Sequence, residues 1–436
     1  KGNIWKQLVS FSIPIMLTNL LQVSYQFVDS LWIGNLIGAN ALGAVAVAST
    51  VIFVALSFII GINNATLTIL SQQKGMQDEV GLTRYLNAFV VLLAILALIA
   101  TILGFFFAET VLKILNTPTS MINQSKIYLQ INSLGVVFLI GYNFIGTVMR
   151  ALGDSKTPLK IVSAAVVLNA ILDPIFIAYF NLGVYGAALA TIIAQGLSFI
   201  AGLYFVLKRK LAPFSIPSLP AKEEILLILK LGIPSGLQMS VISAGIAAIM
   251  SVVNSFGAYV VAGFSAAQRL DSIIMLPAQA LGTAVNSMAG QNIGVNRWDR
   301  VYRIDKYALI YNLLIMFLIA LLIFIFAEQS LRLFIQEPSS LNFGKKYLQT
   351  IAFFYPFLGI NFILNGTVRA SGAMYQVLAL NIISFWALRY PLTFIFSSVL
   401  GDSGIALGMG SSFVISSIVA YLYYRYGGWR RKRLFL

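Results

Sequence analysis

Apolar residues run in long blocks through nearly the whole chain, at 8–36, 41–70, 85–108, 127–148, 158–180, 184–207, 225–254, 258–290, 307–327, 346–366, 374–399 and 403–425. A hydrocarbon core about 30 Å thick takes roughly 20 apolar residues to cross as a helix. The pattern therefore predicts an all-α polytopic membrane protein with twelve transmembrane helices. A membrane barrel would instead show alternating segments of about ten residues. Several blocks are longer than a span needs, which leaves room for tilt or a kink. The first block has no small-residue cleavage site and reads as a first helix, not a signal peptide.

The halves repeat at a shift of 219 residues. Gly38 pairs with Gly257, Gln72 with Gln291, Gly75 with Gly294, Arg150 with Arg369 and Gly153 with Gly372. Phe107-Ala108-Glu109 recurs as Phe326-Ala327-Glu328, and Tyr128-Leu129-Gln130 as Tyr347-Leu348-Gln349. One constant offset over so many separated points indicates a duplicated six-helix unit. The expected organisation is an amino-terminal lobe at 1–207, a linker at 208–224 and a carboxy-terminal lobe with a basic tail at 225–436. Six is even, so both copies enter from the same side, and the two bundles are expected to be related by an axis along the membrane normal. Of the 29 Lys and Arg, the loops and span ends on one side hold five (Lys113, Lys126, Arg332, Lys345, Lys346) and two, Arg269 and Arg389, lie well inside spans. The remaining 22 lie on the side of the termini and the linker. The positive-inside rule places both termini in the cytoplasm of a cell membrane.

Composition sharpens the class. Only 10% of residues are charged and 59% are hydrophobic, against roughly 25% charged in soluble proteins, so no sizeable soluble domain is left over. With no His and no Cys, disulfides, thiolate nucleophiles, imidazole bases and the usual zinc ligand sets are excluded. Ion chemistry must then rest on carboxylates, amides, hydroxyls and carbonyls. The net charge of +15 sits in short loops and in the tail Trp429-Arg430-Arg431-Lys432-Arg433. That placement suits anionic lipid headgroups and argues against nucleic acid.

Of the fourteen acidic residues, Asp29, Asp173 and Asp271 fall well inside the predicted spans. An ionisable group at membrane depth costs roughly 3 kcal/mol or more and is a functional candidate by default. Asp29 ends a polar stripe of Thr18, Gln22, Tyr25 and Gln26 along one face of the first helix. Asn169 and Asp173 are four apart and share a face of the fifth, where Pro174 removes a backbone donor and frees the Ala170 carbonyl. Thr191 and Gln195 repeat that spacing on the sixth. Two carboxylates close together in a low-dielectric cavity cannot both ionise cheaply and titrate as a unit. The neighbouring oxygens would also suit Na+. At the repeat-equivalent positions stand Ala248 or Ile249 and Tyr390, so the carboxylate pair exists in one half only, which interhelical glue would not require. On the eighth helix Asp271 shares a stripe with Gln268, Met275, Gln279 and Asn286. Arg389 on the eleventh is its expected ion-pair partner, in a structural or gating role. The Phe, Tyr and Met residues offer adaptable apolar surface for varied ligands.

Several motifs carry a family likeness. The first span has Pro14-Ile15-Met16-Leu17-Thr18-Asn19-Leu20, Val28-Asp29-Ser30 and Ile33-Gly34, and the fourth-to-fifth loop reads Arg150-Ala151-Leu152-Gly153-Asp154-Ser155-Lys156-Thr157-Pro158. Together with the helix count and the duplication, these resemble the multidrug and toxic compound extrusion (MATE) family, in its DinF-like branch. The resemblance implies an antiporter, not an enzyme, that exports amphipathic, mostly cationic compounds in exchange for H+ or Na+. It needs no cofactor beyond the coupling ion, and a monomer is expected. It assigns the amino-lobe cation site to Asp29, Asn169, Asp173 and Thr191, with Tyr25 and Asn143 as neighbours. The acidic residues that another branch carries on its seventh and tenth helices are missing here. A lipid-linked glycan flippase of the same superfamily is the alternative; it should show extra helices and a more cationic cavity. An intramembrane aspartyl enzyme would have to use Asp29 with Asp173.

Overall fold

A computed structural model of the chain describes residues 2–435 and is helical throughout its regular elements. Among the described residues, ten helices are long and apolar enough to cross a membrane. In chain order they are α1 (Ile4–Leu36), α2 (Ala39–Met76), α3 (Glu79–Phe106), α5 (Lys156–Tyr179), α6 (Gly183–Lys208), α7 (Lys222–Asn254), α9 (Trp298–Leu331), α10 (Pro338–Ala370), α11 (Met374–Leu400) and α12 (Ser403–Tyr426). Between α3 and α5, α4 is a pair, Thr119–Leu134 and Val136–Ala151, bent by 51° at Gly135. The eighth predicted span, α8, is broken at Met275 into Ala258–Ile274 and Leu276–Gly294. Its Gln268, Arg269, Asp271 and Gln279 make it more polar than the others.

The chain divides into two compact units. One is Leu17–Ile233; the other joins the residues before Leu17 to those from Pro234 onward. The division thus falls inside α1 and α7, close to Pro14 and Pro234, and not at the linker. Packing explains the first of these. Ile4, Leu8, Phe11 and Ile15 recur at helical spacing and are buried with Ala280, Leu281, Ala284, Val285 and Ile304. Trp5 stacks on Tyr311 with ring centroids 3.9 Å apart.

The repeat recurs inside each unit. Gly38 and Gly257 precede α2 and α8 with φ of +122° and +98°, where only glycine is unstrained. Gln77 and Asn296, also 219 apart, end their helices in the left-handed region at φ 59° and 56°. Glu109 binds Lys113 and Lys126, both at 2.7 Å. Glu328 binds Arg332 at 2.7 Å and Lys345 at 3.0 Å in the same way. The bonds from Lys113 and Lys126 hold the Glu109 carboxyl at about 2, below its ordinary 4.5. Whatever stability this contributes is present above the ordinary value and lost as pH falls through about 2.

Candidate functional site

The first unit brings the predicted carboxylates together. α1 presents Asp29, and one turn earlier Tyr25, whose hydroxyl donates to Thr191 Oγ1 at 3.0 Å. Thr191 in turn donates to the Ala187 carbonyl at 3.0 Å. Asn169 Nδ2 on α5 reaches Asp173 Oδ1 and Thr191 Oγ1, each at 3.4 Å. The Asp29 and Asp173 carboxyl groups are close neighbours. Asn169 and Asp173 are fully buried, and Asp29 nearly so. Three oxygens of this cluster, Asp29 Oδ1, Asn169 Oδ1 and Asp173 Oδ2, have no hydrogen-bond donor. An unpaired acceptor away from water costs about 1–3 kcal/mol, so the cluster has acceptor capacity that its protein partners leave unused.

Local backbone supports this placement. Pro174 closes the regular part of α5, and the helix continues as a wide π turn at Ile175–Tyr179. Such turns arise where the normal hydrogen-bond ladder is interrupted. Gly186 lets α6 approach that turn: a Cβ there would lie 2.6 Å from the Phe176 carbonyl oxygen. The other half has its own π segment, Ile383–Arg389, just before Pro391.

Asp29 opens onto a cavity of about 760 Å³ inside this unit. Gln22, Gln26, Asn143 and Gln195 share its wall with Tyr25 and Thr191, while Asp173 lies behind. Asn143 donates to the Leu139 carbonyl at 2.8 Å and faces the cavity without bonding to the carboxylates. No Lys or Arg lines the space, and its aromatic residues are Tyr25, Phe53, Tyr128 and Tyr142, with no methionine. Sequence reasoning did not single out Tyr128, which is buried beside both carboxylates. Its place in the repeated Tyr-Leu-Gln motif was the available signal.

The second unit corrects one expectation. Among the described residues no ion pair joins Asp271 to Arg389. Asp271 Oδ1 instead accepts a hydrogen bond from the Tyr355 hydroxyl, and Tyr347 also faces it. The Arg389 guanidinium lies over the rings of Phe385 and Phe413, 3.9 Å and 4.6 Å from their centroids, and Nε donates to Ser412 Oγ at 3.4 Å. Phenol donors satisfy the carboxylate and aromatic faces hold the cation, so each is placed without the other. Tyr355→Phe should therefore lower thermal stability, by about 1–3 kcal/mol for the stranded acceptor. Unchanged thermal unfolding of the purified variant would reject this account of Asp271.

Asp305 is a further buried carboxylate that sequence reasoning missed. It accepts from Thr367 Oγ1 and, at 2.6 Å, from the Tyr424 hydroxyl. The start of the basic tail packs beside it. Trp429 stacks on Tyr424, and Arg430 lies over the rings of Tyr302, Tyr424 and Trp429.

The MatE family profile matches residues 14–175 and 234–395, one copy in each half. The chain is 60% identical over 435 residues to the probable multidrug resistance protein YpnP of Bacillus subtilis, covering all of this chain and 98% of that one. A second Bacillus subtilis protein, the probable multidrug resistance protein YoeA, is 28% identical over all of this chain and 96% of its own length. Among solved structures, the Vibrio cholerae MATE transporter VcmN superposes with a TM-score of 0.93 at 23% identity, over 99% of this chain and 98% of that chain. With the duplicated profile matched across both units, the chain belongs to the MatE family of polytopic membrane transporters.

Proposed function

We propose that the protein is a multidrug exporter of the antiporter type, moving amphipathic, mostly cationic compounds out of the cell in exchange for H+ at the Asp29–Asp173 pair. The observation that carries the reading is a buried carboxylate pair opening onto a large cavity with no cationic lining. Two unit charges about 4 Å apart at an effective dielectric of 20 repel by about 4 kcal/mol. That is enough for proton uptake and release to reset the site. With the pair ionised, Asp29 is the one charged group on the cavity wall and attracts an organic cation. Protonation from the external medium removes the attraction and permits the π turn of α5 to repack, which lowers substrate affinity.

Asn169 and Thr191 add oxygens that would also suit Na+. A glycan flippase is disfavoured, because the cavity offers no cation to hold a phosphate. The excess of Lys and Arg on the side of both termini supports a cytoplasmic position for them in the cell membrane. Purified protein in liposomes loaded with a cationic dye should transport it when a pH gradient is imposed. Transport driven by a Na+ gradient alone would replace H+ by Na+, and transport driven by neither would overturn the antiport reading.

A further inference from the structure

In the first unit, α3, α4, α6 and the linker enclose a second space, a groove of about 470 Å³. Leu93, Ala97, Val137, Phe199 and Leu203 are typical of its walls, and Ser215 is the one polar side chain among its lining residues. The linker forms its rim and is pinned there. Asn87 on α3 donates to the Ser218 carbonyl and accepts from the Ser218 amide, both at 2.9 Å. Arg84 binds Glu224 at 2.7 Å, and Phe214 meets Phe144 edge-on at 6.4 Å.

The groove runs down α6 to Leu207. Immediately beyond stand Lys208, Arg209 and Lys210, all exposed and in no ion pair among the described residues. Ile216 on the rim is 90% exposed, and Leu219 three residues further along the linker is 99% exposed. Lys208 lies over the Tyr204 ring at 5.4 Å and Arg209 over the Phe205 ring at 4.9 Å, and neither meets a carboxylate among the described residues. Exposed apolar side chains and three cations on the stretch between Leu207 and Leu219 suit the boundary between headgroups and acyl chains.

We propose that this groove is a lipid site: it takes one acyl chain of an anionic glycerophospholipid, whose phosphate sits over Lys208, Arg209 and Lys210. The chemistry selects that occupant. A space of this size fits a small amphiphile. A peptide segment would bury backbone donors and acceptors that one serine hydroxyl cannot satisfy. A cationic amphiphile such as the proposed transport substrate would meet three like charges at the mouth. A zwitterionic lipid fills the groove equally well but lacks the net attraction, for which three cations supply roughly a hundredfold preference. The site does not depend on the ion-coupling reading.

The test is native mass spectrometry of the full-length protein in detergent, titrated with phosphatidylglycerol and phosphatidylcholine of identical acyl chains. One phosphatidylglycerol should be retained under activation that strips phosphatidylcholine. The triple variant Lys208→Gln, Arg209→Gln, Lys210→Gln should retain the two lipids equally. Ala94→Phe, which fills the groove from an exposed position of α3, should lose the retained lipid without loss of thermal stability. If that variant does not fold, the smaller Ala94→Leu should give a partial loss. Equal retention of both lipids by the native protein would overturn the proposal. So would unchanged phosphatidylglycerol retention in the triple variant or in a folded groove variant.

Discussion

Asp29→Asn should reduce pH-driven efflux to the background of empty liposomes while the protein stays folded, and Asp173→Asn should do the same. The amide keeps the size of the side chain and most of its hydrogen bonding, so Asn169, Thr191 and the helix contacts survive. It cannot take a proton, and the exchange loses its second partner. Thr191→Ala is the informative control. It removes the acceptor of the Tyr25 hydroxyl and costs about 1 kcal/mol of local order, so efflux should slow by several-fold without losing its response to pH. Dye efflux from liposomes at a series of imposed gradients separates the two outcomes. Asp29→Asn and Asp173→Asn variants that each still respond fully to the gradient would remove these residues from the coupling step.

Asp305→Ala should be among the most destabilising single changes in the second unit. The carboxylate accepts from two buried hydroxyls, Thr367 and Tyr424. Thr367 can still donate to the Ile363 carbonyl at 3.4 Å, but the Tyr424 donor left unpaired costs about 1–3 kcal/mol. Tyr424 also carries Trp429 by stacking, and its carbonyl accepts from Trp429 Nε1 at 2.9 Å and from Arg430 Nη2 at 2.8 Å. The loss should therefore spread into the chain end, which becomes open to proteolysis. Asp305→Asn retains one acceptor oxygen and should cost about half as much. Thermal unfolding with limited proteolysis reads both effects. An alanine variant that melts like the native protein, with its carboxy-terminal end still protected, would show that this cluster holds nothing in place.

Much of this was legible in the sequence because lipid makes strong demands on pattern. Apolar blocks marked the helices, and the 219-residue offset marked the duplication. Asp29, Asn169, Asp173 and Thr191 stood out because polar groups at membrane depth need a reason to be there. Three things were not legible, each for a physical cause. The ninth span was drawn from 307 although α9 begins at Trp298; Lys and Arg in its first turns depress local hydropathy, so Asp305 looked like a loop residue. The Asp271–Arg389 pairing was drawn from opposite charge alone. Tyr355, Phe385 and Phe413 are as able to hold an isolated charge, and only the azimuths of three helices decide between them. The π turns leave no trace in composition, since they change how the backbone bonds and not which residues compose it.

The unit boundary inside α1 has a consequence for how the protein is made. The amino-terminal turns of α1 are synthesised long before Ala280, Leu281, Ala284, Val285 and Ile304, against which Ile4, Leu8, Phe11 and Ile15 are buried. A ribosome adds about 5–20 residues per second, so that apolar stripe waits many seconds for its partners while the rest of α1 already has neighbours. During that interval the nascent chain is a half-docked helix whose free end must be shielded by lipid or by an insertion factor. Completion of the second unit is therefore a late event in biogenesis, and a chain truncated before α8 leaves Ile4, Leu8, Phe11 and Ile15 without their packing partners.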